Sequence, residues 1–137
     1  MADKRVLIVD DCSIDRMILQ RAFGKVHGKS IVLREADNAE AAITAIEEDD
    51  FDAVFLDINM PGHNGFYVLR SARRKYPSDP PLIFMYSSSD HPDDVSRASE
   101  EGATEYICKP VEMAAIEAVV SRCGRRIDEM RAMGRYQ

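Results

Sequence analysis

The sequence is short of cysteine, of histidine, of positive charge and of long apolar runs, and each shortage removes a class of protein. Its three cysteines, Cys12, Cys108 and Cys123, are odd in number, far apart and form no CxxC pair. Neither a disulfide framework nor a zinc site is expected from them, and reduced thiols fit the cytoplasm. No stretch approaches the ~18 apolar residues of a membrane span, and the opening MADKRVLIVDD lacks a signal-peptide pattern. Cytoplasmic residence without a membrane is therefore expected. With 18 Lys and Arg against 24 Asp and Glu, the net charge is −6. That argues against broad nucleic-acid binding by phosphate neutralisation and leaves proteins as the expected partners. His63 falls in a glycine-containing loop, His27 and His91 read as surface residues, and nothing marks a histidine phosphodonor.

What remains is a chain of 137 residues, 45% hydrophobic and 31% charged, which suits one domain of about 100–150 residues with a full core. Its organising stretch is FDAVFLDINMPGHNG, residues 51–65. Ala53-Val54-Phe55-Leu56 has the character of a parallel strand covered on both faces, and it stops at Asp57. Val6-Leu7-Ile8-Val9 repeats the pattern and stops at Asp10-Asp11, while Leu82 to Tyr86 is another apolar run and stops at Ser87-Ser88-Ser89. A second strand is expected over Ser30 to Ala36, and a short last one over Glu105 to Cys108, followed by Lys109-Pro110.

Helices fill the intervals. The first runs from a Ser13 cap to about Val26, with Ile14, Met17, Ile18 and Phe23 as its apolar stripe. The second runs from an Asn38 cap to about Glu48, with Ala41, Ala42, Ala45 and Ile46 inward; the third covers Phe66 to Tyr76, with arginines outside. The fourth starts at Pro92 and closes at Gly102, and the last begins near Val111 and passes Arg126. Five strands alternating with five helices predict a doubly wound α/β sheet.

The strand ends then decide the chemistry. Ligands of open parallel sheets collect beyond the carboxyl ends of the strands, and Asp10, Asp11, Asp57, Ser87 and Lys109 all belong to that edge. Two carboxylates 4 Å apart repel by roughly 4 kcal/mol at an effective dielectric near 20, so a cation must share the cleft. Lys109 offsets one charge. A hard divalent ion held by oxygens offsets the others, and Mg²⁺ fits best. A hard metal, a carboxylate nucleophile, a hydroxyl and a lysine together favour phosphoryl transfer onto Asp57.

Asp10-Asp11, Asp57 followed by NMPG and Gly65, a hydroxyl at Ser87, and Tyr106 with Lys109-Pro110 form an ordered set that strongly resembles response-regulator receiver domains, over about Arg5 to Cys123. The resemblance implies a flavodoxin-like sheet of order 2-1-3-4-5, with Asp57 as the phosphoacceptor and Mg²⁺ held by Asp10, Asp11, Asp57 and the Asn59 carbonyl. It implies that Lys109 pairs with Asp57 and then with the phosphoryl group, and that Ser87 and Tyr106 form the switch, with Ser88 the alternative hydroxyl. A cis Lys109–Pro110 bond is implied as well. The phosphodonor would be a histidine kinase or histidine phosphotransfer protein, and the chain would be no enzyme beyond catalysing its own phosphorylation and dephosphorylation. Rival readings are a haloacid-dehalogenase-like phosphatase, for which DxDxT is absent, and a flavodoxin-like electron carrier, for which the phosphate loop is absent. A phosphorylation-independent docking module is the nearer alternative.

The expected domain spans residues 5–123, as a stand-alone receiver, and leaves 124–137 as a helical extension or tail with no output domain. Ile116, Val120, Cys123, Ile127 and Met130 continue one stripe into that tail. Without a sheet to cover, Ile127, Met130 and Met133 would face water and favour a weak homodimer or partner contact. A tail frayed at Gly124 and Gly134 is the other expectation.

Overall fold

A computed structural model describes residues 3–134; the start of the MADKRVLIVDD segment and the final three residues of the tail lie outside the described residues. Along the chain come β1 (Lys4–Val9), α1 (Ser13–His27), a 3₁₀ turn (Gly28–Ser30), β2 (Ile31–Ala36), α2 (Ala39–Glu48), β3 (Ala53–Leu56) and α3 (Gly65–Lys75). β4 (Leu82–Ser87), α4 (Pro92–Glu100), β5 (Glu105–Cys108) and α5 (Met113–Ala132) complete it. The strands form one parallel sheet of order β2-β1-β3-β4-β5, the doubly wound arrangement expected.

Alternation along each strand divides the core in two, because successive side chains leave a strand on opposite faces. Leu7, Val9, Val54, Leu56, Ile83 and Met85 pack with α2, α3 and Ala98 of α4. Val6, Ile8, Phe55, Phe84 and Ile107 pack with α1 and α5 on the other face. The central strands β3 and β4 are buried at every position because both faces are covered. Asn38 and Asn64 cap α2 and α3, accepting from the backbone N–H groups of Ala41 and Tyr67 at 2.8 and 3.2 Å.

Three expectations about the helices need correction. α1 is preceded by Cys12 with no side-chain cap, and its buried face is Leu19, Ala22 and Phe23. Ile14 and Met17 are exposed, so of the expected stripe Phe23 alone is fully buried. The apolar residues at 14 and 17 lie on the opposite side of the helix from Leu19 and Phe23 at 100° per residue. The second correction is the tail: α5 continues unbroken to Ala132, and Ile127 and Met130 are buried in the same core as Val6 and Phe84. Met133 is exposed as expected. The helix shares its face of the sheet with α1, and ion pairs fasten its end: Lys4 to Asp128 at 3.2 Å and Arg131 to the buried Asp52 at 2.9 Å. Third, His27 is half-buried, its Nε2 lying 3.1 Å from the Val120 carbonyl. A Cβ on Gly124 would lie 2.2 Å from the His27 ring, so this mid-helix glycine is the seat of that ring.

Candidate phosphoacceptor site

Backbone pairing carries the polar residues just past the sheet. Asp10 N–H donates to Ala36 O at 3.1 Å, Asp57 N–H to Val9 O at 2.9 Å and Lys109 N–H to Ser87 O at 2.8 Å. Each residue therefore stands one step beyond its strand, on the same edge. Gly65 permits this at the β3–α3 turn, since a Cβ there would sit 2.2 Å from the Asp57 carbonyl oxygen.

Asp10, Asp11 and Asp57 each present a carboxylate oxygen, and the three lie within 4.8 Å of one another. Asp10 and Asp57 are buried and Asp11 is exposed, which leaves the cluster open to solvent on one side. An all-oxygen, multiply charged set of this kind suits a hard divalent cation. Asn59 is exposed in the loop two residues after Asp57.

Lys109 is the cation of the cleft. Its ammonium donates to Asp10 Oδ2 at 2.7 Å, to Asp15 Oδ2 at 2.8 Å and, less closely, to Asp57 Oδ2 at 3.4 Å. Burial opposes its charge, but the hydrogen bonds to Asp10 and Asp15 outweigh that and its pKa is raised. Burial raises the pKa of Asp57 as well, with the charge of Asp10 adding to it, against the opposing pull of Lys109 and the Ile58 N–H, which donates to Asp57 Oδ1 at 2.8 Å. The nucleophile candidate is thus a carboxylate whose ionised form is held at a cost.

Lys109 reaches the cluster from a trans bond to Pro110; among the described residues the cis peptides are Asp79–Pro80 and Pro80–Pro81. The expected cis bond is therefore absent. Trans is the intrinsically favoured form of an X–Pro bond, by about 0.5–1 kcal/mol, and the start of the β5–α5 loop delivers the ammonium without it.

Ser87 ends β4 and is fully buried, while Ser88 is exposed. Ser87 Oγ accepts from Ser89 N–H at 3.2 Å, Tyr106 O–H donates to Ser89 O at 2.6 Å, and Ser89 O–H donates to Asp94 of α4 at 2.7 Å. The loop after β4 is thereby tied to both β5 and α4.

Two residues of this edge escaped the sequence reading. Asp15 is the first-turn acid of α1, and Arg16 braces the strand end by donating to Asp10 O at 2.7 Å and to Glu35 Oε1 at 2.8 Å. The signal for Asp15 lay in its spacing: 15, 19, 22 and 23 share one helix face, so an acid there faces the sheet edge rather than solvent.

A doubly wound parallel sheet with an acidic cluster and a lysine at the carboxyl ends of its strands defines the class to which this chain is compared. A family model for the response regulator receiver domain matches residues 6–121, and the chain belongs to that family, whose members are signalling switches rather than ordinary enzymes. It is 32% identical over 115 residues to the sensory/regulatory protein RpfC of Xanthomonas campestris pv. campestris, covering 82% of this chain and 15% of that protein. It is 35% identical over 107 residues to the nitrate/nitrite response regulator protein NarL of Escherichia coli, covering 78% of this chain and 48% of that one. The chain thus spans less than half the length of either relative. The chemotaxis protein CheY4 of Vibrio cholerae shares the fold, with a TM-score of 0.78 at 22% identity over 89% of this chain and 99% of that one. No helix among the described residues is long and apolar enough to cross a membrane.

Proposed function

We propose that this receiver accepts a phosphoryl group onto Asp57 from a phosphohistidine of a histidine kinase or histidine phosphotransfer protein, in the cytoplasm, and signals through its altered surface. The observation that carries this reading is the meeting of Asp10, Asp11 and Asp57 within 4.8 Å, with the Lys109 ammonium beside them. An oxygen of Asp57 attacks phosphorus in line as the bond from phosphorus to the imidazole nitrogen breaks, and the bonding pair leaves on that nitrogen. Asp10, Asp11, Asp57 and the Asn59 carbonyl would hold Mg²⁺, which supplies neutralisation of charge on the phosphoryl oxygens. Lys109 donates to one of those oxygens, and Ser87 to another.

The donor protein has a place to seat. Ile14 and Met17 on α1, and Val111 and Met113 after Lys109, are exposed apolar residues, and the Lys109–Asp15 bond ties these two segments to one cleft. On the output side, attraction of the Ser87 hydroxyl towards the phosphoryl group withdraws it from Ser89 N–H, loosens the loop that Tyr106 holds, and so moves the surface of α4, β5 and α5.

Intact-mass measurement with Mg²⁺ and acetyl phosphate tests the chemistry: one phosphate on the wild type and none on Asp57→Asn is expected. Stoichiometric phosphate on the Asn variant would move the acceptor elsewhere, and an unmodified wild type would favour a phosphorylation-independent docking module.

A further inference from the structure

Asp15 belongs neither to the carboxylate cluster that suits a metal nor to any strand end, yet it makes one of the two short bonds to Lys109. An ammonium has three N–H donors. Here Asp10 and Asp15 take two at 2.7 and 2.8 Å, and Asp57 is left at 3.4 Å. Lys109 is therefore drawn towards α1, away from the carboxylate that the proposed function makes the acceptor. Asp15 is also placed to act when the cleft fills. If Asp10 gave its carboxylate to a cation, Lys109 would lose that partner, and Asp15 would still hold the ammonium. An anionic phosphoryl group on Asp57 must then compete with Asp15 for the N–H donors.

Resting on the phosphoacceptor reading, we infer that Asp15 is a positioning residue that restrains Lys109: it eases cation entry by giving the ammonium a second anchor, and it opposes phosphoryl retention by withholding that ammonium from Asp57. Asp15 touches neither the acceptor nor the phosphoryl group, and its effect is exerted through Lys109. Its carboxylate is 39% exposed in the side chain, so water weakens the grip and the effect is a modulation, not an on–off switch.

The test is a pair of titrations on the full chain, followed by calorimetry and by nitrogen NMR of the lysine ammonium groups. Asp15→Asn should bind Mg²⁺ more weakly than wild type. In saturating Mg²⁺ it should bind beryllofluoride, the phosphoryl analogue, about two- to fivefold more tightly, the size of a partly exposed charge pair. The Lys109 ammonium signal should shift in the Asn variant before beryllofluoride is added, and Asp15→Glu, which keeps the charge, should restore wild-type values. Opposite signs for the two ligands separate restraint from damage to the fold, which weakens both. Beryllofluoride affinity of Asp15→Asn equal to or below wild type, or an unmoved Lys109 signal, would overturn the inference while the phosphoacceptor reading stands. Failure of wild type to bind beryllofluoride in Mg²⁺ would overturn both.

Discussion

Cutting the chain after Cys123 removes the last two to three turns of α5, and the structure makes this a severe perturbation. Ile127 is 0% exposed and Met130 is 5% exposed. Truncating a buried Ile or Met to Ala costs about 2–5 kcal/mol each, and deletion empties both positions. Asp52, 5% exposed, accepts from Arg5 N–H at 2.8 Å and from Arg131 at 2.9 Å. Losing the guanidinium adds about 1–3 kcal/mol for a buried carboxylate left short of donors. The total, about 5–13 kcal/mol, is comparable with the whole stability of a domain, about 5–15 kcal/mol. Urea unfolding followed by circular dichroism should find the truncated chain largely unfolded without denaturant. Since that outcome alone says little about which contact matters, Ile127→Ala in the full chain should fold and lose about 2–5 kcal/mol. A truncated chain with the wild-type midpoint, or an Ile127→Ala loss under about 0.5 kcal/mol, would refute the reasoning and return these residues to the role of a free appendage.

Gly124→Ala tests the α1–α5 contact: helix propensity alone favours Ala by about 1 kcal/mol, but the new Cβ meets the His27 ring at 2.2 Å, and forced repacking costs about 1–3 kcal/mol. The variant should be no more stable than wild type, whereas in a His27→Ala background the same change should stabilise, which thermal melts of the four proteins will show. For the metal-free protein, Asp57→Asn should raise stability. The folded-state pKa of Asp57 is raised, by burial first, so the advantage of the Asn variant is smallest below the unfolded carboxyl value, about 3.9, and grows as pH rises through the folded value. Urea midpoints across pH check this, and an advantage that shrinks with rising pH would contradict it.

The sheet was legible because its signal is local. Val6 to Val9, Ala53 to Leu56 and Leu82 to Tyr86 are apolar at every position, a pattern that burial on both faces requires, and their abrupt polar ends mark the edge where Asp10, Asp57 and Lys109 meet. The helices were less legible because apolar residues occur on more than one face. In α1 the pairs Ile14–Met17 and Leu19–Phe23 compete for the inward phase, and the α1–α5 packing that decides between them joins residues about a hundred positions apart. Gly124 misled for a related reason: its helix cost is visible in the sequence, while the ring it accommodates comes from the far end of α1.

Within the site, residues fixed by strand ends were found and residues fixed by helix phase were missed. Asp57 and Lys109 occupy positions set by sheet register, so reading the strands places them. Asp15 depends on the rotation of α1: with Ile14 and Met17 taken as inward, residue 15 turns towards solvent, and with Leu19, Ala22 and Phe23 inward it turns to the cleft. The same rotation that brings Asp15 to the ammonium turns Ile14 and Met17 out to solvent on the other side of the helix. A single error of phase thus concealed both the restraint on Lys109 and the apolar surface on which a phosphodonor would seat.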